Sequence, residues 1–259
     1  MASGRSTKHP RQESLFTKAG AVRKRRPRTF ARGKRPGRPS KAGARLRHQR
    51  RQVVTAREPV HVTWRMRAGL PNLRSPEVMA AIRLAFVRGK ARFGFRLVHF
   101  SVQSNHVHML CEAHGEKSLS RGLQGLAVRV VRGVNRALGR SGKMLDDRYH
   151  ARVLRSPSET RWALGYVLCN VRRHNAQLLT PRSYPRKWLD TCSSARHFPG
   201  WVAGGRPVVF TVPDATSCVV KPQSWFLREG WLKLGRLPTD HLPGPRAPVS
   251  GTNSNGRAR

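Results

Sequence analysis

The stretch that decides the fold is Ser101-Val-Gln-Ser-Asn-His-Val-His-Met-Leu-Cys111. Apolar residues are interleaved through it and Ser104-Asn105 suits a turn, so the pattern predicts two strands that meet at that turn. Side chains at i and i+2 of a strand point to the same face, which places His106 beside His108. Two neutral imidazoles at that spacing can bind one divalent metal ion and leave its other coordination positions open. Taken without further context, such a pair is more often two ordinary strand residues.

The surrounding sequence predicts an α+β fold built on that strand. A helix is expected after Ser75, where Ser suits the N-cap and Pro76 the first helical position, and another begins near Ser156-Pro157. The full order is β-α-β-β-α-β-α, which predicts a ferredoxin-like antiparallel sheet with helices on one face plus one extra C-terminal helix. Its other elements are strands near 60–67, 95–103, 106–112 and 149–154 and a helix at 118–138.

The extra helix includes 163–170, where Tyr166 and Asn170 are four residues apart and therefore share a face. A hydroxyl nucleophile beside a metal held by two histidines and an amide oxygen would form a phosphodiester-cleaving site. Tyr166 has a second interpretation, as the core aromatic of its helix. The composition favours nucleic acid as the partner, because 52 Lys and Arg face 12 Asp and Glu for a net charge of +40.

The same composition argues against several other classes of protein. No stretch approaches the ~18–20 apolar residues of a membrane-spanning helix, so no membrane partner is expected. The first fifty residues have no apolar signal-peptide core, and their basic residues are clustered rather than amphipathic, unlike those of a transit peptide. The four cysteines form no C-x-x-C pair, which fits a reducing compartment. We therefore expect a cytoplasmic, nucleoid-associated protein.

Composition also divides the chain into three regions. Residues 1–58 are predicted to be a basic, disordered tail, since residues 1–51 hold 18 Lys and Arg against one Glu. Within it, 34–41 loosely matches an AT-hook that enters minor grooves, although a generic phosphate-neutralising arm is the simpler interpretation. Residues 59–180 form the folded domain, and 181–259 a Pro- and Trp-containing extension that is partly docked and ends in disorder.

Residues 59–176 resemble the single-tyrosine HUH transposase family, in particular its REP-associated tyrosine transposase branch. The matching stretches are His61-Val-Thr-Trp-Arg, Gln103-Ser-Asn-His-Val-His-Met-Leu, Arg148-Tyr-His-Ala-Arg and Tyr166-Val-Leu-Cys-Asn170. Many REP-associated members continue with Pro after the Asn, whereas Val171 follows here, and we expect this change to let the helix continue.

The resemblance implies a mechanism and a set of residues. His106 and His108 would coordinate Mg²⁺ or Mn²⁺, Asn170 would complete the coordination, and Tyr166 would attack single-stranded DNA and become linked to its 5′ phosphate. The expected partner is single-stranded or hairpin DNA, bound by a monomer or a homodimer. The alternative is a protein of a different functional class. It would be a DNA-binding repressor or nucleoid protein that keeps the fold but does not cleave DNA. An RNA-binding ferredoxin-like module is a third, fainter possibility.

Other polar residues receive weaker assignments. His61 is either a supporting residue of the site or a structural histidine, and Tyr149 either packs or stacks on a base. We interpret His99, His114, His150 and His174 as ordinary histidines. Six arginines are candidates for a DNA groove, although each alone is more commonly a solvated charge: Arg121, Arg129, Arg148, Arg152, Arg172 and Arg173.

Overall fold

The computed structural model describes residues 52–146, 148–210, 212 and 217–244. The predicted basic tail, apart from 52–58, lies outside the described residues, and so does its AT-hook-like stretch. The end of the chain after 244 is outside them as well.

Five antiparallel strands form the main sheet, in the order β2-β3-β4-β1-β5. Without the short β2, this is the strand order of a ferredoxin-like sheet, so the predicted fold class is confirmed. The histidine strand β4 lies in the centre, between β3 and β1. The strands are β1 (Val60–Arg65), β2 (Ala91–Arg92), β3 (Phe95–Val102), β4 (His106–Ala113) and β5 (His150–Val153).

Two helices, α1 (Pro76–Gly89) and α2 (Glu116–Ala137), cover one face of this sheet. The α2 residues that share the predicted apolar stripe are all buried there: Leu119, Leu123, Leu126, Val130 and Val134. Gly122 allows the close approach, because a Cβ on it would lie 2.1 Å from Cγ of Phe95. Helix α2 starts two residues before the predicted Ser118, with Gly115 at its N-cap.

The opposite face is covered by α3 (Pro157–Leu168). Its N-cap is Ser156, whose hydroxyl accepts a hydrogen bond from the backbone N–H of Glu159 at 3.1 Å. Leu164 and Val167 pack with Val98 and Leu110 of the sheet. We name this the histidine face, because His106 and His108 alternate with residues that are buried against α1 and α2.

One local prediction was wrong: the helix does not continue through Asn170. Helix α3 ends at Leu168, and α4 (Asn170–Ala176) begins two residues later. Cys169 has ψ 16°, outside the helical range, and the N–H groups of Arg172 and Arg173 both bond to its carbonyl, at 3.0 and 3.4 Å. A new helix therefore starts at the residue expected to bind the metal.

The C-terminal segment completes the core on the histidine face. It contains α5 (Trp225–Arg228) and a three-stranded sheet ordered β7-β6-β8, made of Trp201–Ala203 (β6), Arg206–Val208 (β7) and Leu237–Pro238 (β8). Trp201, Trp231 and Leu237 are buried against α3. Glu112 anchors the segment, since its carboxylate accepts from the backbone N–H of Ser224 at 2.7 Å.

Candidate active site

The candidate site is built on the two central strands, β4 and β1. Antiparallel pairing sets Thr63 directly opposite His108 and His61 opposite Leu110, so side chains from both strands meet on the histidine face. The ring centroids of His106 and His108 are 4.8 Å apart, and those of His61 and His108 are 5.3 Å apart. The two histidines predicted from the sequence thus lie side by side, with a third imidazole next to them.

Hydrogen bonds orient both rings by their Nδ1 atoms. Nδ1 of His106 lies 2.8 Å from Oδ1 of Asn105, which only accepts, so this contact places the ring proton on Nδ1. Nδ1 of His108 lies 3.0 Å from Oγ1 of Thr63 and 3.2 Å from Nε2 of His61. When His108 donates from Nδ1 to these acceptors, the lone pair of each ring is on Nε2. That is the usual arrangement of a metal-binding histidine, in which a partner of the other ring nitrogen fixes the tautomer.

Burial keeps these imidazoles neutral. Desolvation is the largest cause that lowers the pKa of His106 to about 4 and that of His108 to about 2, and neighbouring histidines and arginines lower both further. The pKa of His61 is lowered to about 4, again mainly by burial and then by His150 and Arg152. Neutral rings offer lone pairs to a metal ion without first releasing a proton.

Tyr166 lies across this cluster. Its ring centroid is 5.0 Å from that of His108 and 5.8 Å from that of His61, in an edge-on arrangement. Trp162, one turn earlier on α3, stacks on the tyrosine ring at 4.9 Å and 16°. The guanidinium carbon of Arg173 lies 5.2 Å from the centroid of the same ring. The ring of Tyr166 is thus held by an indole and a cation beside the histidines.

The chain's other two tyrosines lie elsewhere. Tyr149 packs against the core shared with α1 and α2, on the opposite side of the sheet from His108. Tyr184 stacks on Trp188 in the segment after α4. Among the three, Tyr166 is the one in ring contact with the histidines.

Asn170 begins α4 and is completely buried. Among the described residues, neither atom of its amide has a hydrogen-bond partner, and the same holds for Nε2 of His108. Buried polar atoms without partners are rare and need an explanation, such as an ion. Two imidazole nitrogens and an amide oxygen suit a divalent cation that accepts both nitrogen and oxygen ligands. Within the described ranges no group of three His, Cys, Asp or Glu is placed to hold a metal.

Some residues of the cluster lie outside the sequence prediction. Thr63 is not among the predicted site residues and His61 has two interpretations, although the i, i+2 pattern on β1 places both on one face. His174, interpreted as an ordinary histidine, has its ring centroid 5.7 Å from that of His106. It lies one helical turn after Asn170, and that spacing was the signal that could have identified it.

The six candidate arginines separate into distinct groups. Arg121 and Arg129 are on α2, across the sheet from the histidines, and Arg129 bonds to Gly125 of its own helix. Arg152 pairs with Glu159. Arg148 is exposed just before β5, and Arg172 binds backbone carbonyls of the segment after α4. Only Arg173 among the six contacts the ring of Tyr166.

The fold and the site together define an α+β protein with a ferredoxin-like sheet that carries a cluster of histidines and Tyr166 on one face. No family model matches the chain, and no curated protein matches it. Within the described ranges, no helix is long and apolar enough to cross a membrane.

Two solved structures are similar to it. One is a REP-associated tyrosine transposase bound to a REP hairpin, with 17% identity, a TM-score of 0.46, and coverage of 69% of this chain and all of that one. The other is a protein provisionally assigned as a transposase from Deinococcus radiodurans R1, with 16% identity, a TM-score of 0.33, and coverage of 40% of this chain and 83% of that one. At these values neither assigns a function to this chain.

Proposed function

We propose that the protein cleaves and rejoins single-stranded DNA through a covalent 5′-phosphotyrosine intermediate at Tyr166, with Mg²⁺ or Mn²⁺ as cofactor. The observation that carries the proposal is the contact of Tyr166 with His108, whose ring centroids are 5.0 Å apart while Nε2 of His108 is buried without a partner among the described residues. This is the activity of a transposase or of a related strand transferase.

The residues that would hold the cofactor are His106, His108 and Asn170. When bound, the divalent ion would neutralise charge on the scissile phosphate and polarise it. The histidines contribute neutral nitrogens, because burial suppresses their protonation. The buried amide of Asn170 contributes an oxygen that has no competing partner in the described part of the chain.

In the reaction, the phenol oxygen of Tyr166 would attack phosphorus, and its proton would pass to solvent water as the new P–O bond forms. The bond from phosphorus to the 3′ oxygen breaks, and that oxygen leaves as a hydroxyl after it takes up a proton. In the phosphotyrosine, phosphorus is still held as a phosphodiester, with the tyrosine oxygen in place of the 3′ oxygen. A 3′-OH can therefore attack it later and rejoin the strand without ATP. Stacking on Trp162 restricts the motion of the Tyr166 ring, which lies 5.0 Å from the ring of His108.

The direct test is covalent adduct formation. Wild-type protein incubated with single-stranded DNA and Mg²⁺ or Mn²⁺ should give a protein–DNA adduct that survives denaturation, and Tyr166→Phe should give none while it keeps its DNA affinity. Tyr149→Phe is the matched control, because Tyr149 lies on the other side of the sheet. An adduct in Tyr166→Phe that is lost in Tyr149→Phe would show that the nucleophile is misassigned.

The net charge of +40 supports a second candidate, a DNA-binding protein without catalytic activity. Phosphate binding alone does not need a neutral histidine pair beside a tyrosine, which is why we favour the enzyme. The same assay separates the two, since a pure binder would retain DNA in both variants and form no adduct with any metal.

A further inference from the structure

A second pair of stacked aromatic rings lies in the segment that follows α4. Tyr184 and Trp188 stack face to face, with ring centroids 4.1 Å apart and planes 17° apart. Both rings are half-buried, so part of each remains open to solvent. We call this pair the aromatic platform. The proposed cleavage chemistry does not use it.

Helix α4 holds the backbone of the platform by hydrogen bonds. The guanidinium of Arg172 donates to the carbonyls of Pro185 at 3.0 Å and Trp188 at 3.1 Å. The amide of Asn175 donates to the carbonyl of Arg182 at 2.8 Å and accepts from its N–H at 2.9 Å. The position of the segment is therefore set by contacts that survive when either aromatic ring is removed.

The surroundings of the platform are cationic. Arg182, Arg186 and Lys187 are exposed in the same segment, and no acidic residue occurs between Asn170 and Leu189. Arg186 has one weak partner, Asp240 at 3.3 Å, with both side chains largely exposed. The following acidic residue, Asp190, is buried and bound by Arg74. These charges suit a phosphate backbone that passes over the segment.

Consecutive arginines link the platform to the nucleophile. The guanidinium carbon of Arg172 lies 5.6 Å from the ring centroid of Tyr184 and 5.7 Å from that of Trp188. That of the next residue, Arg173, lies over Tyr166. A strand held at Tyr166 would therefore have the platform within a few nucleotides.

We propose that the aromatic platform binds an unpaired base of the DNA strand that is cleaved at Tyr166, by stacking that base on the open ring surface while Arg182, Arg186 and Lys187 contact its phosphates. The inference rests on the proposed function for the identity of the strand. Stacking on aromatic rings accepts any base, because every base has a π-face. The platform therefore contributes affinity and positioning rather than sequence choice.

The test compares two probes that have the same charge and differ in their bases. A labelled dT oligonucleotide of about 20 nucleotides is matched with an abasic oligonucleotide of equal length, and both are titrated in EDTA against the Tyr166→Phe protein. This protein should bind the dT strand more tightly than the abasic strand. In Trp188→Ala in the same background, the ratio of the two affinities should fall roughly 5- to 150-fold. Affinity for the abasic strand and the salt dependence should stay unchanged, since the cations are retained.

Two further variants control for folding and specificity. Tyr184→Ala removes the other ring and should show the same loss, which keeps the test valid if Trp188→Ala unfolds. Trp225→Ala removes a tryptophan that is 44% exposed and lies on α5, outside the platform segment, and should leave the preference intact. If Trp188→Ala and Tyr184→Ala are folded and keep the full preference for dT, the aromatic platform only packs its own segment. The same conclusion follows if Trp225→Ala loses the preference equally.

This outcome is distinguishable from failure of the proposed function, because the titration needs neither the nucleophile nor a metal. Adduct formation in the wild type together with an unaltered dT preference in Trp188→Ala would overturn the platform alone. A platform-dependent preference with no adduct would overturn the cleavage reaction alone.

Discussion

The contacts of His108 give a quantitative prediction about metal affinity. Thr63→Val removes the hydroxyl that lies 3.0 Å from Nδ1 of His108 and keeps a similar shape. Nε2 of His61, at 3.2 Å, remains available to Nδ1, so one of two orienting contacts survives. Loss of an outer partner of a metal-binding histidine typically lowers affinity 10- to 100-fold. We expect about tenfold weaker Mn²⁺ binding in Thr63→Val and about 100-fold in the double variant with His61→Leu.

The assay is Mn²⁺ binding to the purified protein without DNA, followed by electron paramagnetic resonance or calorimetry at pH 7.5. Thr63→Ser, which keeps the hydroxyl, should bind as the wild type does. ¹⁵N chemical shifts of His108 give an independent measurement, because they report which ring nitrogen carries the proton. If the hydroxyl accepts from Nδ1, the population of the tautomer with the proton on Nδ1 should fall in Thr63→Val.

The reasoning would be refuted by Mn²⁺ affinity that is unchanged in the double variant while the protein stays folded. It would also be refuted if Thr63→Ser lost as much affinity as Thr63→Val, since the hydroxyl would then be irrelevant.

Three other predictions have defined outcomes. His106→Ala or His108→Ala should abolish metal-dependent DNA cleavage, while Asn170→Ala should weaken it less and respond better to Mn²⁺ than to Mg²⁺ in a cleavage assay, because water can partly replace an amide oxygen. Burial lowers the pKa of His99 to about 3, so below about pH 6.5 the unfolded chain binds a proton that the native state does not. The free energy of unfolding should therefore fall by about 3 kcal/mol between pH 6.5 and 4 because of this residue. Urea unfolding of His99→Gln should lack that part of the decline. Glu112→Gln removes the charge that accepts three backbone contacts from Gln223 and Ser224, and should cost about 3 kcal/mol in urea unfolding at pH 7.

The elements of the fold follow from periodicity that can be recognised in the sequence. Alternation on β4 places His106 and His108 on one face, and the apolar stripe on α2 identifies its buried side. These are local properties, since each depends on residues within one strand or one helix. That is why the fold class and the pairing of these two histidines could be predicted.

The remaining features of the site depend on pairing between distant segments. The position of Thr63 opposite His108 is set by the register of β1 against β4, which no spacing within either strand reveals. The break at Cys169 is also not apparent from the sequence, which contains neither Pro nor Gly there. Arg121 and Arg129 are of the residue type expected in a DNA groove. The helix that carries them, α2, packs on the face of the sheet opposite the histidines.

The shared core behind α3 has a consequence for the order in which the chain is made. Leu168, the last residue of α3, and Leu237 pack in the same core although they are 69 residues apart. At about 5–20 residues per second, a ribosome needs roughly 3 to 14 s to make that stretch. During this interval the five strands and their two histidines have been made, but the helix that carries Tyr166 lacks part of its core. The core that supports Tyr166 is therefore completed late in synthesis, after the residues of the histidine face have been made.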